Sequence, residues 1–523
     1  MIGLDVAARG LAKSALAHSL RQGTTPSLHG ATGDGLAPDD PAFAAVRALF
    51  AAAGERTLRL ESRTYALNES GGLTWDQSGS AILGQGMSRS ILRQTDHAIT
   101  SGSALTLHSC ENLLLQDLTL HGANGYGALY VPQGQTVENV VFNRVRFTSD
   151  PQSGIDGAWF GSTNGIRWVC DTGSAQNIWL IDCVFENCGR MGLEFQNHGT
   201  GSTVRIGNIH IVRPRFVHIG QANAGAGHAQ GMGISLSGCM DNILIDRPWF
   251  DHVDRLCIEM VGCSRTRIRD MAVRHDTLGS GLIAATNAKP MHGNAIDGLR
   301  WCGSTGSDLL MEIPQVAANI RLDNWNDGVV RNVQLRTTGA KALELGLNYP
   351  SSRNLVEANS LHSDQPSVIG NMQSGANIFR GNRIESSYSG AVGHIAIQGD
   401  DSVDCLVDGN SFIAPAASSW NPIALTGAAS ARFTRSNRLK GKKTEASGTL
   451  TLASGTKYAG VLHGLAGAPA FHLVTPRSRV HNGTADLSWF SDFDGNTLNV
   501  QTSANVAASV TFHWYAELAF GNL

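Results

Sequence analysis

Four stretches of this sequence follow one pattern, and they decide its fold. They read NVVFNRVRF at residues 139–147, NIWLIDCVF at 177–185, NIHIVRPRF at 208–216 and NILIDRPWF at 242–250. Each begins with asparagine, has apolar residues one and three positions later, and ends with phenylalanine eight positions later. The starting asparagines are 38, 31 and 34 residues apart. A period of this size, built from short alternating segments, is typical of a solenoid of stacked coils.

A second series extends the repeat toward the C-terminus. It reads NLVEANSL at 354–361, NIFRGNRI at 377–384 and CLVDGNSF at 405–412, with asparagine five positions after the first residue. The apolar alternation of the first series places one face of each strand in a core. Asparagine tolerates a left-handed backbone and can bond the same asparagine one coil away. We therefore predict an all-β protein in which residues 57–440 form a right-handed parallel β-helix of about a dozen coils.

The segment before the first coil, residues 28–56, is predicted to be a helical cap. It contains GATGDGLAPDDPAFAAVRALFAAAG at residues 30–54. An open solenoid end would expose apolar core and strand edges, so it needs a cover. Asp39 and Asp40 can cap a helix whose first turn contains Pro41. The spacing of the acidic and glycine residues fits neither a calcium loop nor a phosphate-binding loop. We therefore expect a structural turn that leads into the helix, with no bound metal.

The two ends of the chain differ from the coils. Residues 1–27 begin with a helix-prone segment that lacks an apolar secretory core, because charged residues interrupt it. Residues 441–523 follow the basic run RLKGKK and consist of short alternating segments. That pattern predicts a small C-terminal β-sandwich.

Composition excludes several classes of function. The formal net charge of −3 gives no reason to expect a nucleic-acid partner. No apolar run approaches the ~18 residues of a membrane span. The nine cysteines include no C-x-x-C pair, so we expect buried reduced thiols rather than disulfides or a zinc site. No cofactor motif is present, and we expect none.

Two coils carry a further pattern that could supply chemistry. Phe185 is followed by Arg190 and Glu194, and Phe250 is followed at the same spacing by Arg255 and Glu259. Alternation places the neighbours of each glutamate in the core and the glutamates on the outer side. Ser235 of the intervening coil aligns between them. Two coils separate the carboxylates by about 10 Å at the backbone, a spacing closer to inverting than to retaining glycosidases. We predict that Glu194 and Glu259 are catalytic.

Neighbouring residues are candidates for substrate binding. Arg190 and Arg255 could hold acidic sugars, with Ser235 between the glutamates. Asp254 lies beside Arg255, and the glycine-rich insertion at 218–231 could bring His228 close. Trp249 should face outward, where its ring could stack on a sugar. The alternative interpretation is that the arginine and glutamate residues form ordinary surface ion pairs.

The capping segment resembles the opening of bacteriophage tailspikes in the pectate-lyase-like β-helix superfamily. The matching stretch is GATGDGLAPDDPAFAAVRALFAAAGERTLRLESRTYAL, although ERTLRLESRTY replaces the usual turn before the tyrosine. The resemblance implies a homotrimeric spike on a virion or phage-like particle. Such a spike binds host-surface polysaccharide, either capsule or O-antigen. It also implies that residues 1–27 attach to other particle proteins, and that the C-terminal domain serves trimerisation or glycan binding.

Three functions remain open at this point. The first is a spike with depolymerase activity, by glycoside hydrolysis rather than by lyase chemistry. The second is a non-catalytic receptor-binding adhesin of a phage or a gene-transfer particle. The third is a free bacterial polysaccharide lyase or epimerase, which the lack of a secretory segment disfavours.

Overall fold

In its described residues, the computed structural model of the 523-residue chain contains one α-helix and many short, mostly parallel β-strands. The chain divides into two compact units, residues 1–354 and 355–523. The structure describes residues 23–53, 56–68, 72–95, 102–123, 125–149, 164–197, 203–220, 231–253, 255–274, 281–285, 290–302, 318–390, 392–414, 420–434, 436–440, 445–462, 465, 469–494, 497–518 and 521–522.

The first unit is a stack of coils, each contributing strands to three parallel sheets. The first sheet includes β2 (Thr57–Arg59), β5 (Ala81–Leu83), β12 (Ser174–Ile181) and β15 (Ile206–Val212). The second includes β1 (Asp34–Pro38), β3 (Thr64–Leu67), β6 (Ile91–Gln94), β13 (Val184–Glu186), β16 (Arg215–Ile219) and β18 (Trp249–Val253). The third includes β4 (Leu73–Trp75), β7 (Gly102–Leu107), β9 (Gly125–Val131), β11 (Asn164–Val169), β14 (Met191–Asn197), β19 (Leu256–Ser264), β21 (Ile283–Ala285), β24 (Ala318–Leu322) and β27 (Lys341–Leu345).

Six long strands turn a corner and join two sheets. Those that pass from the first sheet to the second are β8 (Cys110–Gly122), β10 (Thr136–Ser149), β20 (Arg267–Arg274), β23 (Ala295–Cys302) and β26 (Val329–Arg336). Strand β17 (Met232–Asp246) passes from the third sheet to the first. A separate parallel pair consists of β22 (Met291–His292) and β25 (Trp325–Asn326).

The predicted asparagine ladder is present at one corner. Asn139, Asn177, Asn208 and Asn242 all have φ between 52° and 57°. Each amide donates to the Oδ1 of the asparagine one coil earlier, at 3.0 Å for Asn177, 3.2 Å for Asn208 and 2.6 Å for Asn242. Left-handed backbone is tolerated by asparagine and disfavoured for most other residues. The ladder therefore fixes both the corner and the register.

The phenylalanines of the repeat form a second ladder inside the core. The rings of Phe147, Phe185, Phe216 and Phe250 stack with centroids 5.0, 4.7 and 4.9 Å apart. Glycines of the third sheet face these rings. A Cβ on Gly192 would lie 2.6 Å from the Phe216 ring, and one on Gly233 would lie 2.4 Å from the Phe250 ring. Glycine is therefore required for space at these positions.

The N-terminal cap contains a short 3₁₀ helix (Pro26–His29) and the α-helix α1 (Asp40–Ala53). Phe43 and Phe50 are buried and pack edge-to-face on Tyr65 and Trp75 of the first coils. Asp39 stands directly before α1, as predicted. Its carboxylate, however, accepts backbone hydrogen bonds from Thr32 (2.7 Å) and Ala66 (3.1 Å). It therefore ties the cap to the first coil instead of closing the first turn of the helix.

The second unit begins with further coils. One sheet contains β28 (Leu355–Glu357), β31 (Ile378–Arg380), β34 (Cys405–Asp408) and β37 (Ala431–Phe433). Another contains β29 (Ser360–Ser363), β32 (Arg383–Ser386), β35 (Ser411–Ile413) and β38 (Arg438–Lys440). The rest are β30 (Ile369–Met372), β33 (Val392–Gln398) and β36 (Trp420–Thr426), while β45 (Gly521–Asn522) pairs antiparallel with β37.

A buried asparagine ladder runs through these coils. The amide of Asn359 donates to Asn382, that of Asn382 to Asn410 and that of Asn410 to Asn437, at 2.9, 2.9 and 3.1 Å. Asn382 and Asn410 also donate to backbone carbonyls. The sequence repeat did not predict Asn437, because the coil of Asn437 has one extra residue before the asparagine.

The C-terminal part of this unit has the predicted sandwich architecture. One antiparallel sheet consists of β39 (Glu445–Leu452), β44 (Val510–Leu518) and β41 (Pro469–Pro476), and the other of β40 (Tyr458–Leu462), β43 (Thr497–Thr502) and β42 (Trp489–Asp494). Both sheets contribute to one apolar core, which includes Leu452, Val474, Leu498, Val500 and Phe512.

Cysteines in the described residues are mostly buried thiols, as the sequence predicts. Cys110, Cys183 and Cys263 are examples that lie in the β-helix core. Burial raises the pKa of each of these thiols to about 12, so they are unreactive at neutral pH.

A charged substitution in the buried asparagine ladder should destabilise the protein more than the same charge on a nearby exposed residue. Asn382→Asp keeps the shape of the side chain but replaces two amide donors by carboxylate oxygen, which then faces Asn410 Oδ1 and the Val356 carbonyl. We expect a loss of at least about 2 kcal/mol in unfolding free energy. Urea unfolding followed by circular dichroism measures it. Ser360→Asp places the same charge on a nearby exposed residue and should be almost neutral. Equal losses for the two variants would show that the ladder is not what stabilises these coils.

Candidate functional site

The outer side of the third sheet presents one side chain per coil in direct register. We call this series the outward file, and it consists of Thr106, Tyr130, Arg167, Glu194, Ser235, Glu259, Ala284, Arg321 and Glu344. The residues on either side of each glutamate, such as Leu193 and Phe195, are fully buried in the core. The predicted alternation is therefore confirmed. So is the position of Ser235 between Glu194 and Glu259.

Glu194 is held by several polar groups. Its Oε2 accepts hydrogen bonds from Asn164 Nδ2 (2.6 Å) and from Arg190 Nη1 (2.8 Å), while Oε1 accepts from Gln196 Nε2 (2.8 Å). The guanidinium of Arg167, on the same preceding coil as Asn164, lies 3.6 Å from Glu194 Oε2. Glu194 is only 1% exposed, although it lies on the outer side of the sheet, as the sequence predicted. Two guanidinium groups and two side-chain amides therefore surround the Glu194 carboxyl group.

Glu259 is the more accessible member of the pair. It is half-buried, and its Oε2 accepts a hydrogen bond from Ser235 Oγ at 2.6 Å. Because one coil intervenes, the two glutamates are about 10 Å apart at the backbone. A buried apolar cluster of Met191, Met232, Leu256 and Ala284 flanks them. Charges next to such a surface interact more strongly than they would in water.

One end of the outward file is aromatic, which the sequence patterns did not reveal. The rings of Tyr126 and Tyr130 are 4.4 Å apart, and the Arg167 guanidinium lies 4.9 Å above the Tyr126 ring. Burial raises the pKa of the Tyr130 hydroxyl, and nearby Arg167 offsets this only in part. Tyr130 is therefore a neutral phenol at neutral pH. Tyr130 lies on the coil before Arg167 and pairs with it. Knowledge of the strand register would therefore have predicted its position.

The other end of the file is a set of buried ion pairs. Arg321 pairs with Asp323 at 2.7 Å, and Lys341 pairs with Glu344 at 2.6 Å. Glu344 Oε2 has no hydrogen-bond partner and is buried. Arg321 and Glu344 lie two and three coils beyond Glu259 in the outward file.

The remaining predicted residues divide into three groups. Arg190 reaches Glu194, and Arg255 lies half-buried directly before β19. Trp249 lies on the second sheet, where the Arg215 guanidinium covers its ring at 4.7 Å. The structure therefore places Trp249 in a different sheet from the glutamates. His228 and Asp254 lie outside the described residues.

Trp179 faces outward on the first sheet. It is half-buried and stacks on His210, with centroids 5.7 Å apart and planes 8° from parallel. On its other side it packs against the apolar cluster of Ala81, Leu83, Leu114 and Val141. Burial lowers the pKa of His210, which favours a neutral ring in this stack.

Within the ranges given above, no group of three or more His, Cys, Asp and Glu side chains is placed to hold a metal ion. No helix in the described part of the chain is long and apolar enough to cross a membrane.

Comparison with known proteins identifies the fold. No protein-family model matches the chain, and neither does any curated protein at a significant level. Among solved structures, the tailspike protein gp49 from Pseudomonas phage LKA1 is 14% identical and has a TM-score of 0.51, covering 95% of this chain and 100% of that one. The N-terminal fragment of bacteriophage Phi29 gene product 12 is 13% identical with a TM-score of 0.56, covering 80% and 71%. The A-module of Azotobacter vinelandii mannuronan C-5 epimerase AlgE6 is 14% identical with a TM-score of 0.47, covering 79% and 98%. The chain, a stack of parallel β-coils by its own strand pairing, therefore shares its fold with the two phage proteins whose TM-scores exceed 0.5.

Proposed function

We propose that this protein is the spike of a phage or phage-like particle, and that it binds bacterial surface polysaccharide on the outward file and cleaves it. The observation that carries the proposal is the in-register series from Tyr130 to Glu259. It offers aromatic rings, guanidinium groups and carboxylates along one line, the groups that a sugar chain requires. Two solved β-helices with similar coils are phage proteins, which supports the assignment to a particle.

The two glutamates would act as the general acid and the general base of hydrolysis. Glu259 is half-buried and is the carboxyl group that a sugar can reach, so we assign it the role of general acid. Glu194, whose Oε2 accepts hydrogen bonds from Arg190 and Asn164, is assigned the role of base. The separation of two coils is closer to the ~6.5–9.5 Å of inverting enzymes than to the shorter spacing of retaining ones. We favour hydrolysis over elimination because the file places two carboxylates, the pair of groups that glycosidases use, two coils apart.

A specific observation favours a second candidate, a spike that binds without cleaving. The side-chain oxygens of Glu194 already accept bonds from Asn164, Arg190 and Gln196. A base must also accept from an attacking water, and these contacts leave it little capacity to do so. If they persist when sugar binds, the file serves recognition alone.

Cleavage can be tested at Glu259. Glu259→Gln should reduce turnover of a cleaved polysaccharide about 10²–10⁴-fold, because acid assistance is lost. Its binding affinity and melting temperature should stay close to the parent values. Glu194→Gln should lower both turnover and melting temperature, because Arg190 and Arg167 lose a charged partner.

The control for this test is Glu111→Gln, which removes a carboxylate from an exposed residue of the first sheet. Reducing-end release from purified capsular and O-antigen polysaccharides is the assay. Full turnover in folded Glu259→Gln protein would place the chemistry elsewhere. A parent protein that binds a polysaccharide but never shortens it would establish the adhesin.

The particle assignment also predicts a homotrimer, with residues 1–27 joined to other particle proteins. Trp179 and Trp249 add no evidence for a trimer, because each ring is already packed within one chain. The expectation therefore rests on the likeness of the capping segment to tailspikes.

Light scattering on the purified full chain should give three times the 55.4 kDa chain mass. Trimeric spikes are obligate assemblies, so the mass should not fall on dilution through the micromolar range. A stable monomer at these concentrations would contradict the spike proposal.

A further inference from the structure

The outer face of one sandwich sheet has the composition of a ligand platform. In the sheet β40–β43–β42, the inner side chains Leu498 and Val500 belong to the sandwich core. The outer side includes Tyr458 and Phe490, which are 55% and 54% exposed. Large aromatic side chains are costly to leave in water, and exposed ones mark interaction sites when they are grouped.

The two aromatic residues are grouped by register. Tyr458 and Phe490 both pair with Gln501 of the central strand, so they flank that amide in one row across the sheet. Two strand spacings separate them by about 9.6 Å at the backbone. The next row contains Gly460, Asn499 and Asp492. Each aromatic ring therefore has a polar side chain beside it.

The tyrosine ring is fixed in place. Its hydroxyl donates to Asn499 Oδ1 at 2.6 Å, and Asn499 is itself only 7% exposed. This bond draws the ring across the sheet toward Gly460. A Cβ at Gly460 would lie 2.8 Å from Asn499 Oδ1 and 3.6 Å from the tyrosine hydroxyl. Gly460 does not have a positive φ, so glycine serves here to leave a shallow depression beside the ring.

We infer that this face, formed by Tyr458, Phe490, Gln501, Asn499 and Asp492, is a carbohydrate-binding platform. One face of a pyranose ring presents C–H groups that pack on an aromatic ring, while its hydroxyls lie at the edge and need donors and acceptors. The platform presents aromatic rings for the C–H groups and polar side chains beside them for the hydroxyls. A surface that docks another protein is instead depleted of acidic residues at its centre, whereas Asp492 is exposed in the second row.

The class of ligand rests on the proposed function, a spike that binds bacterial surface polysaccharide. The inference adds a second binding site in a domain to which the outward file does not belong. Such a site would hold the polymer independently of cleavage, and two linked sites raise the overall affinity for a polymer above that of either one.

The test compares full-chain variants on an array of purified capsular and O-antigen polysaccharides. Tyr458→Ala combined with Phe490→Ala should weaken binding of the retained polysaccharide by roughly tenfold or more, because both stacking surfaces are lost. Tyr458→Phe, which keeps the ring, should retain most of the binding. The matched control is Leu473→Ala, which truncates a 54% exposed side chain on the other sandwich sheet.

The outcomes separate the two proposals. Unchanged binding in the double alanine variant, with Arg167→Ala on the outward file weakening it, would overturn the platform and leave the proposed function standing. A double variant whose mass by light scattering falls to that of one chain would identify the face as a contact between copies, which also overturns the platform. A parent chain that retains no polysaccharide on the array would contradict both proposals.

Discussion

The left-handed asparagine corner is the constraint on which the coils of this protein depend. At this position the backbone must adopt a φ near 55°, and the side chain must bond the next coil. Asparagine satisfies both demands with one residue. Once the corner is in register, the Phe185 and Phe216 rings stack, and Gly192 can approach the Phe216 ring. The positions of outward side chains then follow at the strand spacing of about 4.8 Å.

Register at that spacing also limits which charges can be neighbours. At another corner, Arg144 pairs with Asp117 and Arg213 pairs with Asp182, each through two short bonds. The outward file obeys the same rule. Arg167 precedes Glu194, and the uncharged Ser235 separates Glu194 from Glu259. Adjacent like charges are destabilising in a sheet. A carboxylate pair two coils apart is therefore the closest spacing that the file accommodates without a mediating cation or proton.

Much of this arrangement could be predicted from the sequence, because the repeat encodes it locally. The spacing located the Asn177 corner and the alignment of Ser235 with both glutamates. The sequence repeat could not predict which side chains contact Glu194, because those contacts come from coils of different length. Asn164 and Arg167 reach Glu194 from a coil whose asparagines are 38 residues apart. A motif read within one coil also cannot show which sheet a side chain joins, which is why Trp249 was grouped with the glutamates.

The central claim is that coil register turns the outer side of the third sheet into a glycan site. The most direct measurement is a crystal structure of Glu259→Gln protein with an oligosaccharide released from a polysaccharide that it binds. The account predicts sugar rings along the outward file, one against Tyr126 or Tyr130 and a glycosidic oxygen within hydrogen-bond distance of residue 259. Sugar bound in the β-helix only on the second sheet, over Trp249 and Arg215, would contradict it.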